Sequence, residues 1–484
     1  MAETLWTSEA ADVATCGVSD APWSANGVSI DSRSLEKGDL FVALKDVRDG
    51  HEFVATAFEI GACAALVERR PDGVGDDKPL LIVPDVLEAL EHLGAAARAR
   101  TNAKIVGVTG SVGKTGVKEM LRACLSPSGA THAPEKSFNN HWGVPLTLAR
   151  MPAATKYAAI EMGMNHRDEI APLSRLTRPD AAIITTIAPV HMAAFGSETD
   201  IAYAKSEILQ GLQPGGAAIL NRDIPHFARL RDVARTRGQK VISFGAADDA
   251  DVRLTNVRVV DRSTVVNASL HGRELMFKIG APGRHLAMNA LSALAAVDAI
   301  GADLGRATLA LSTWTTPEGR GSRWRVALGA GGTDGHVELI DESYNANPTS
   351  ARAALEVLGA APAIDGVGRI TKGRRIAFLG DMLELGPEEH AMHAAIAEAD
   401  ELAEIDQIHS CGSLMKSLHD ALPRAKRGEW FENSTELAAH ARRALDAGDV
   451  AMVKGSLGSR MAVVVEAIRK IGAAERIDVT EGAD

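Results

Sequence analysis

One segment, Gly107-Val-Thr-Gly-Ser-Val-Gly-Lys-Thr115, limits the possible folds of this chain more than any other. It follows a β-branched apolar run at residues 104–108. It precedes a stretch in which Val117, Met120, Leu121, Cys124 and Leu125 recur at helical spacing. A strand, a glycine turn and a helix in that order make a cradle for phosphate. Glycines let backbone N–H groups turn inward, and the helix N-terminus carries partial positive charge. Lys114 can reach outer phosphates, and the Thr115 hydroxyl can ligate Mg²⁺. The spacing Gly110-x-x-Gly113-Lys114-Thr115 is a shortened phosphate loop, because the longer pattern would need glycine at Val108. Gly110, Ser111, Val112, Gly113, Lys114 and Thr115 are therefore candidate nucleotide-binding residues. The competing reading, a Gly-rich turn with a chance lysine, does not account for the strand before it and the helix after it.

The rest of the chain continues the alternation. Strands are predicted at 41–44, 63–67, 80–83, 157–160, 181–187, 217–220, 241–244, 337–340, 375–379, 407–410 and 450–453, with helical patterns between most of them. Alternation of this kind predicts an α/β fold with mainly parallel sheets and helices on both faces. Asp85 is a candidate N-cap for a helix marked by Val86, Leu87, Leu90 and Leu93. At roughly 150 residues per domain, 484 residues suggest about three domains. Pro317-Glu318-Gly319 breaks the pattern. The expected division is 1–84, 85–318 and 319–484, with a surface loop at 359–373 and a frayed tail at 475–484.

Composition excludes some partners. With 63 Asp+Glu against 52 Lys+Arg the net charge is −11, which argues against nucleic acid or an anionic membrane. Cys16, Cys63, Cys124 and Cys411 show no CxxC spacing, so free thiols in a reducing cytosol are expected. No Lys or Arg precedes Arg33, and the longest apolar stretch, 286–300, is interrupted by Asn289, Ser292 and Asp298. A cytoplasmic protein without membrane insertion is the expectation.

Other residues carry chemistry only in combination. Glu161 ends an apolar run, where open α/β sheets bind ligands; it either serves a second Mg²⁺ shell or a second ion, or is a solvated carboxylate. His191, after a predicted strand and loop, is structural or a metal group. Lys205 shares a helical face with Ile201, Ile208 and Leu212. Either it snorkels, or its amine is neutral and can take up CO₂ as a carbamate suited to Mg²⁺. Asn139, Asn140, Asn289, Arg320 and Asn345 stand in or beside predicted loops.

These motifs together resemble the Mur ligases, ATP-dependent amide-forming enzymes of peptidoglycan synthesis. The likeness is carried by Thr109-Gly-Ser-Val-Gly-Lys-Thr115, Ile160-Glu-Met-Gly163, Ala188-Pro-Val-His191, Ala204-Lys205, Gly283-x-His285-x-x-x-Asn289 and Gly319-Arg320, in the family's order. Asn139-Asn140-x-x-Gly143-Val-Pro145, Asp341-Glu-Ser-Tyr-Asn-Ala-Asn-Pro348 and Gly380-Asp-Met-Leu-Glu-Leu-Gly386 are most similar to the members that add D-alanyl-D-alanine to UDP-N-acetylmuramoyl-tripeptide. Asp31-Ser-Arg33 and Asp49-Gly-His51 resemble a UDP-sugar-binding domain. Leu457 stands where the family commonly has arginine.

The resemblance implies a small UDP-binding domain, a central ATPase domain and a Rossmann-like C-terminal domain, acting as a monomer. It implies Mg²⁺ held by Thr115, Glu161, His191 and carbamylated Lys205, and catalysis by Lys114, His191 and Lys205. ATP would meet Asn289, Arg320 and Asn345 besides the loop. The UDP-substrate would meet Ser32, Arg33, Asp49, His51, Asn139 and Asn140. A ligase adding a single amino acid, or a non-catalytic ATP switch, remain the alternatives.

Overall fold

The apolar runs pair into sheets that follow one another along the chain in the computed structural model. It describes residues 4–134, 136–190, 192, 194–260, 262–329, 332–369 and 371–477. Among these, the largest sheets have five, nine and seven strands.

The first lies within Val18–Ile82. Gly27–Ser29, Asp39–Val42, Ala64–Val67 and Leu80–Ile82 run parallel, and Val18–Ser19 pairs antiparallel at the edge. Asp85 caps the helix Val86–Ala99 by accepting from the Glu88 N–H at 2.9 Å. That helix and Gly143–Ala149 share one core with this sheet, through Leu90, Leu93 and Leu146. The Trp6 indole N–H closes the seam by donating to the Ala149 carbonyl at 2.8 Å.

The nine-stranded sheet positions the site. Its order is Arg273–Ile279, Ser263–Leu270, Val252–Val260, Lys240–Gly245, Ala217–Asn221, Ala181–Ile184, Lys104–Thr109, Tyr157–Glu161 and Thr131–His132. Strand Lys104–Thr109 has chain neighbours that diverge to either side, which makes it the topological switch point. Its register sets Glu161 beside Val108 and Ile184 beside Thr109. One face is covered by helices Lys114–Leu125 and Arg284–Ala299, the other by Ile170–Thr177, Glu198–Ser206 and Phe227–Thr236. The first two pairings in this order are antiparallel, a meander the sequence reading did not include.

The seven-stranded sheet runs Arg427–Phe431, Gln407–Cys411, Arg375–Gly380, Val450–Lys454, His336–Glu342, Ser322–Ala327 and Ala473–Arg476. Its first five strands are parallel and its last two pairings antiparallel. The expected mainly parallel α/β architecture is what the chain adopts.

Three local expectations need correction. The strand expected at 181–187 ends at Ile184, because Thr185 turns its hydroxyl onto the Val112 carbonyl at 2.5 Å. The helix around Lys205 is α only over Glu198–Ser206 and tightens to a 3₁₀ turn over Glu207–Gly211. There Glu207 accepts from the Asp168, Ile170 and Ala171 N–H groups, and a Cβ at Gly211 would lie 2.0 Å from the Ser174 carbonyl oxygen. The tail is not frayed from Glu475, since Ala473–Arg476 pairs with Ser322–Ala327. No helix of the described residues is long and apolar enough to cross a membrane, and all four cysteines are free.

Candidate active site

The glycine loop forms because nothing larger than glycine fits its two turning points. Gly110 has φ 151° and Gly113 φ 90°. A Cβ at Gly110 would lie 1.8 Å from the Thr185 hydroxyl, and one at Gly113 would lie 2.7 Å from the Asn289 amide oxygen. Gly113 caps helix Lys114–Leu125 without a side-chain acceptor, which leaves the helix N-terminus open to an anion. The Ser111 hydroxyl exchanges hydrogen bonds with the Ala188 backbone at 3.0 Å, and the Ser111 N–H donates to the Thr186 carbonyl. Ser111 therefore ties the loop to the neighbouring strand end.

Lys114 bends back and donates to the Gly110 carbonyl at 2.7 Å. Burial holds its amine below the ordinary lysine range, Glu161 opposing and Arg320 reinforcing that shift. Thr115 donates to Glu161 at 2.9 Å and lies 3.2 Å from the Ser137 hydroxyl. The other Glu161 oxygen accepts from the Asn139 amide at 2.8 Å. Glu161 is thus buried and fixed at both oxygens.

Lys205 is 2% exposed. The one hydrogen-bond partner of its amine among the described residues is the Met164 thioether at 3.5 Å. Burial, then the Lys114 charge, push it well below the ordinary lysine range. Neutral amine is the form that combines with CO₂. Among the described residues no three His, Cys, Asp or Glu side chains are grouped to hold a metal. A hard cation here would rest on Thr115, Glu161 and an oxygen-bearing Lys205, a donor set that fits Mg²⁺ only once the lysine carries a carboxylate. His191 lies outside the described residues.

A cavity of about 660 Å³ opens over the loop and reaches the C-terminal sheet. Lys114, Thr115, Glu161, Asn289, Arg320 and Asn345 all line it. The Arg320 guanidinium stacks 4.0 Å over the Tyr344 ring. Asn345 presents its carbonyl to Lys454 at 3.0 Å, and Lys454 also meets Glu342 at 3.3 Å. Ser456 donates to the Ala346 carbonyl and accepts from the Leu383 N–H. Leu457 also lines the cavity and is 67% exposed.

The N-terminal candidates are elsewhere. Ser32, Arg33, Asp49 and His51 do not line this cavity. Asp31 folds Arg33 onto itself through contacts of 2.9 and 2.8 Å, and Lys136 from the central region adds its charge to the depressed Asp31 carboxyl. His51 is buried with both ring nitrogens engaged, Nδ1 donating to Asp49 at 2.7 Å and Nε2 accepting from the Glu68 N–H at 3.0 Å. Asn140 accepts from the Gly143 N–H at 2.9 Å and so starts helix Gly143–Ala149. Sequence reasoning missed Thr185, Thr186, Asn221 and Tyr344, which also line the cavity. Asn221 donates to the Thr185 carbonyl at 2.9 Å. A polar residue closing an apolar run was the available signal.

Residues 108–297 match the Mur ligase middle domain, and residues 325–457 match the Mur ligase, glutamate ligase domain. The UDP-N-acetylmuramoyl-tripeptide–D-alanyl-D-alanine ligase of Escherichia coli (strain K12) is 36% identical over 469 residues, covering 96% of this chain and 98% of its own. That of Bacillus subtilis (strain 168) is 34% identical over 445 residues, covering 91% and 92%. A crystal structure of MurF from Acinetobacter baumannii superposes with TM-score 0.80 at 28% identity, over 96% of this chain and 99% of that one. The chain belongs to the Mur ligase family, in its branch of UDP-N-acetylmuramoyl-tripeptide–D-alanyl-D-alanine ligases.

Proposed function

We propose that this protein joins D-alanyl-D-alanine to UDP-N-acetylmuramoyl-tripeptide at the expense of ATP, in cytoplasmic peptidoglycan precursor synthesis and as a monomer. The observation that carries the reading is the cavity in which Lys114, at its helix N-terminus, and Glu161 of the central sheet face Arg320, Asn345 and Lys454. The domain division is 1–84, 85–318 and 319–484.

The peptide carboxylate is a poor electrophile. Transfer of the γ-phosphoryl group makes it an acyl phosphate, the dipeptide amine attacks the acyl carbon, and phosphate leaves. Gly110–Thr115 cradle the phosphates, and Lys114 supplies the cation that stabilises transferred charge. Asn289, Arg320 and Asn345 position the nucleotide, with Arg320 held flat by Tyr344. Mg²⁺, when bound, neutralises phosphate oxygens. Thr115, Glu161 and Lys205 would hold it, with His191 as the further expected ligand. Lys205 gains its oxygens when its neutral amine attacks CO₂, forming an N–C bond and releasing one proton. Asn139 orients Glu161. Ser32 and the 88%-exposed Arg33 side chain serve the UDP-substrate, while Asp49, His51 and Asn140 hold the loops that present it. Docking of the C-terminal sheet over the loop excludes water from the acyl phosphate.

Product mass tests this. Incubation with ATP, Mg²⁺, UDP-N-acetylmuramoyl-tripeptide and D-alanyl-D-alanine should give the tripeptide mass plus the dipeptide less one water. Product from a single amino acid with a shorter UDP-peptide would assign a sister activity. ATP binding with no product from any amine would assign a switch.

A further inference from the structure

His285 lines the cavity over the glycine loop, at the start of helix Arg284–Ala299. The helix begins at Gly283, with no side-chain cap. Gly283 holds φ 147°, and a Cβ there would lie 2.7 Å from the imidazole Cε1. Glycine therefore makes room for the ring. The charged groups that act on His285 are Glu342 and Lys454, at the C-terminal ends of strands His336–Glu342 and Val450–Lys454. A residue of the central helix thus faces the strand ends of the C-terminal sheet.

Other ionisable groups of this cavity are held by the protein. Lys114 donates to the Gly110 carbonyl, Glu161 accepts from Thr115 and Asn139, and Lys454 donates to Glu342 and to the Asn345 carbonyl. The His285 ring makes no hydrogen bond among the described residues.

Its two nitrogens differ. Nδ1 is buried without a hydrogen-bond partner, whereas Nε2 is not enclosed and opens to the cavity. A buried N–H without an acceptor is the rarer kind of orphan, so Nδ1 keeps the bare lone pair and Nε2 carries the proton. Burial holds the ring below the ordinary histidine range, Glu342 opposing and Lys454 reinforcing that shift. The positive end of the helix also favours the neutral form. A neutral imidazole in a first helical turn, with its N–H outward, is a donor suited to developing negative charge.

The position selects the group that receives this bond. Glu161 ends a strand of the central sheet, Glu342 and Lys454 end strands of the C-terminal sheet, and all three line the one cavity. Open α/β sheets bind ligands outside such ends, so a phosphoryl group passing from a nucleotide on Gly110–Thr115 to a peptide carboxylate moves between the two sheets. His285 borders that space.

We infer that His285 is a catalytic residue that donates its Nε2–H to an oxygen of the γ-phosphoryl group during transfer. In this step a carboxylate oxygen bonds to phosphorus, and the bond from phosphorus to the ADP oxygen breaks with its electron pair going to ADP. His285 keeps its proton throughout. It adds to Lys114 a donor where charge gathers. The inference rests on the ATP-dependent ligation proposed above.

The test uses the full chain. In a ligating parent, His285→Ala should lower kcat about 10²–10³-fold, while KM for ATP and Kd for ADP stay within about twofold. His285→Gln keeps an N–H donor and should recover about tenfold or more of the loss. Hydroxylamine offered in place of the dipeptide captures the acyl phosphate as a hydroxamate. Hydroxamate formation should fall in His285→Ala by the same factor as ligation, because the donor acts before the amine does. If His285→Ala melts far below the parent, His285→Leu takes its place against His285→Gln. Near-parent kcat in His285→Ala would overturn the assignment. So would an equal loss in the Gln variant, which would make the ring a proton acceptor or a packing group. Hydroxamate at the parent rate with ligation lost would move His285 to the amine step, and a raised Kd for ADP with kcat kept would make it a nucleotide-holding residue; either contradicts donation to the γ-phosphoryl group. No ligated product from the parent with any amine would remove the ligation reading and this assignment together.

Discussion

Two lysines are buried on opposite faces of the central sheet, and their surroundings differ completely. Lys118, on helix Lys114–Leu125, is fully buried, pairs with Glu119 and donates to the Pro134 carbonyl at 2.5 Å. Lys205 is almost as deeply buried, but among the described residues its amine has only a thioether as a hydrogen-bond partner. Burial of a cation is tolerated when partners replace water. Lys118 follows that rule and holds the fold. Lys205 departs from it, beside the cavity over the glycine loop, and an amine kept neutral there is a nucleophile.

The largest effect expected concerns neither of them but Lys114, the lysine proposed to face the phosphates. Lys114→Ala should lower the rate of ATP-dependent ligation about 10²–10³-fold or more, by analogy with removal of a transition-state donor. Near-normal turnover in a steady-state assay would contradict its role. If Lys205 is chemically active, Lys205→Met should also lose ligation yet stay folded, because methionine needs no hydrogen-bond partner. A large fall in its denaturant midpoint would move Lys205 to the structural side of the comparison.

The next prediction asks whether an orphaned buried group is by itself a functional sign. His409, in the seven-stranded sheet, has a buried Nε2 with no hydrogen-bond partner among the described residues, while its Nδ1 accepts from the Glu429 N–H. It stacks on Phe378 and does not line the nucleotide cavity. Burial, then neighbouring positive groups, bring its pKa from 6.5 to about 4. Between those values the unfolded chain binds a proton that the folded chain does not, so stability rises with pH through that window and is lost on acidification. The loss amounts to about 3 kcal/mol at most. His409→Gln should flatten denaturant stability between pH 6.5 and 4 without changing ligation at neutral pH. An unchanged pH slope would show that His409 carries none of it.

The smallest effect belongs to Lys118. Lys118→Met leaves the Pro134 carbonyl without its donor, while Glu119 keeps Arg122. The cost should be about 1–3 kcal/mol, with ligation retained below the lowered midpoint. Loss of ligation in a stably folded Lys118→Met would break the distinction between the two lysines.

Sequence carried some of this and not the rest. The loop was legible because glycine spacing reports backbone geometry, and the structure needs glycine at 110 and 113 for steric reasons that spacing already implied. Lys205 was legible as a cation in an apolar stripe. Lys118 was not, since its acceptor at Pro134 is sixteen residues away and comes from a turn no periodicity marks. Asn139 is expected at the UDP-substrate, and the fold adds that its amide holds Glu161. Adjacent loop residues can serve different ligands, and only the fold decides which way each side chain turns. The meander was missed although Ser263–Leu270 alternates cleanly over eight residues, because its partners Val252–Val260 and Arg273–Ile279 are largely exposed and interrupted by charges such as Arg253, Arg258, Glu274 and Lys278.

Labelling with ¹³C-bicarbonate tests the contrast between the two lysines most directly. A ¹³C spectrum of the protein should show one carbamate resonance that is absent from Lys205→Met and retained in Lys118→Met. A resonance that persists in Lys205→Met, or none in the parent protein under conditions where it ligates, would contradict the account.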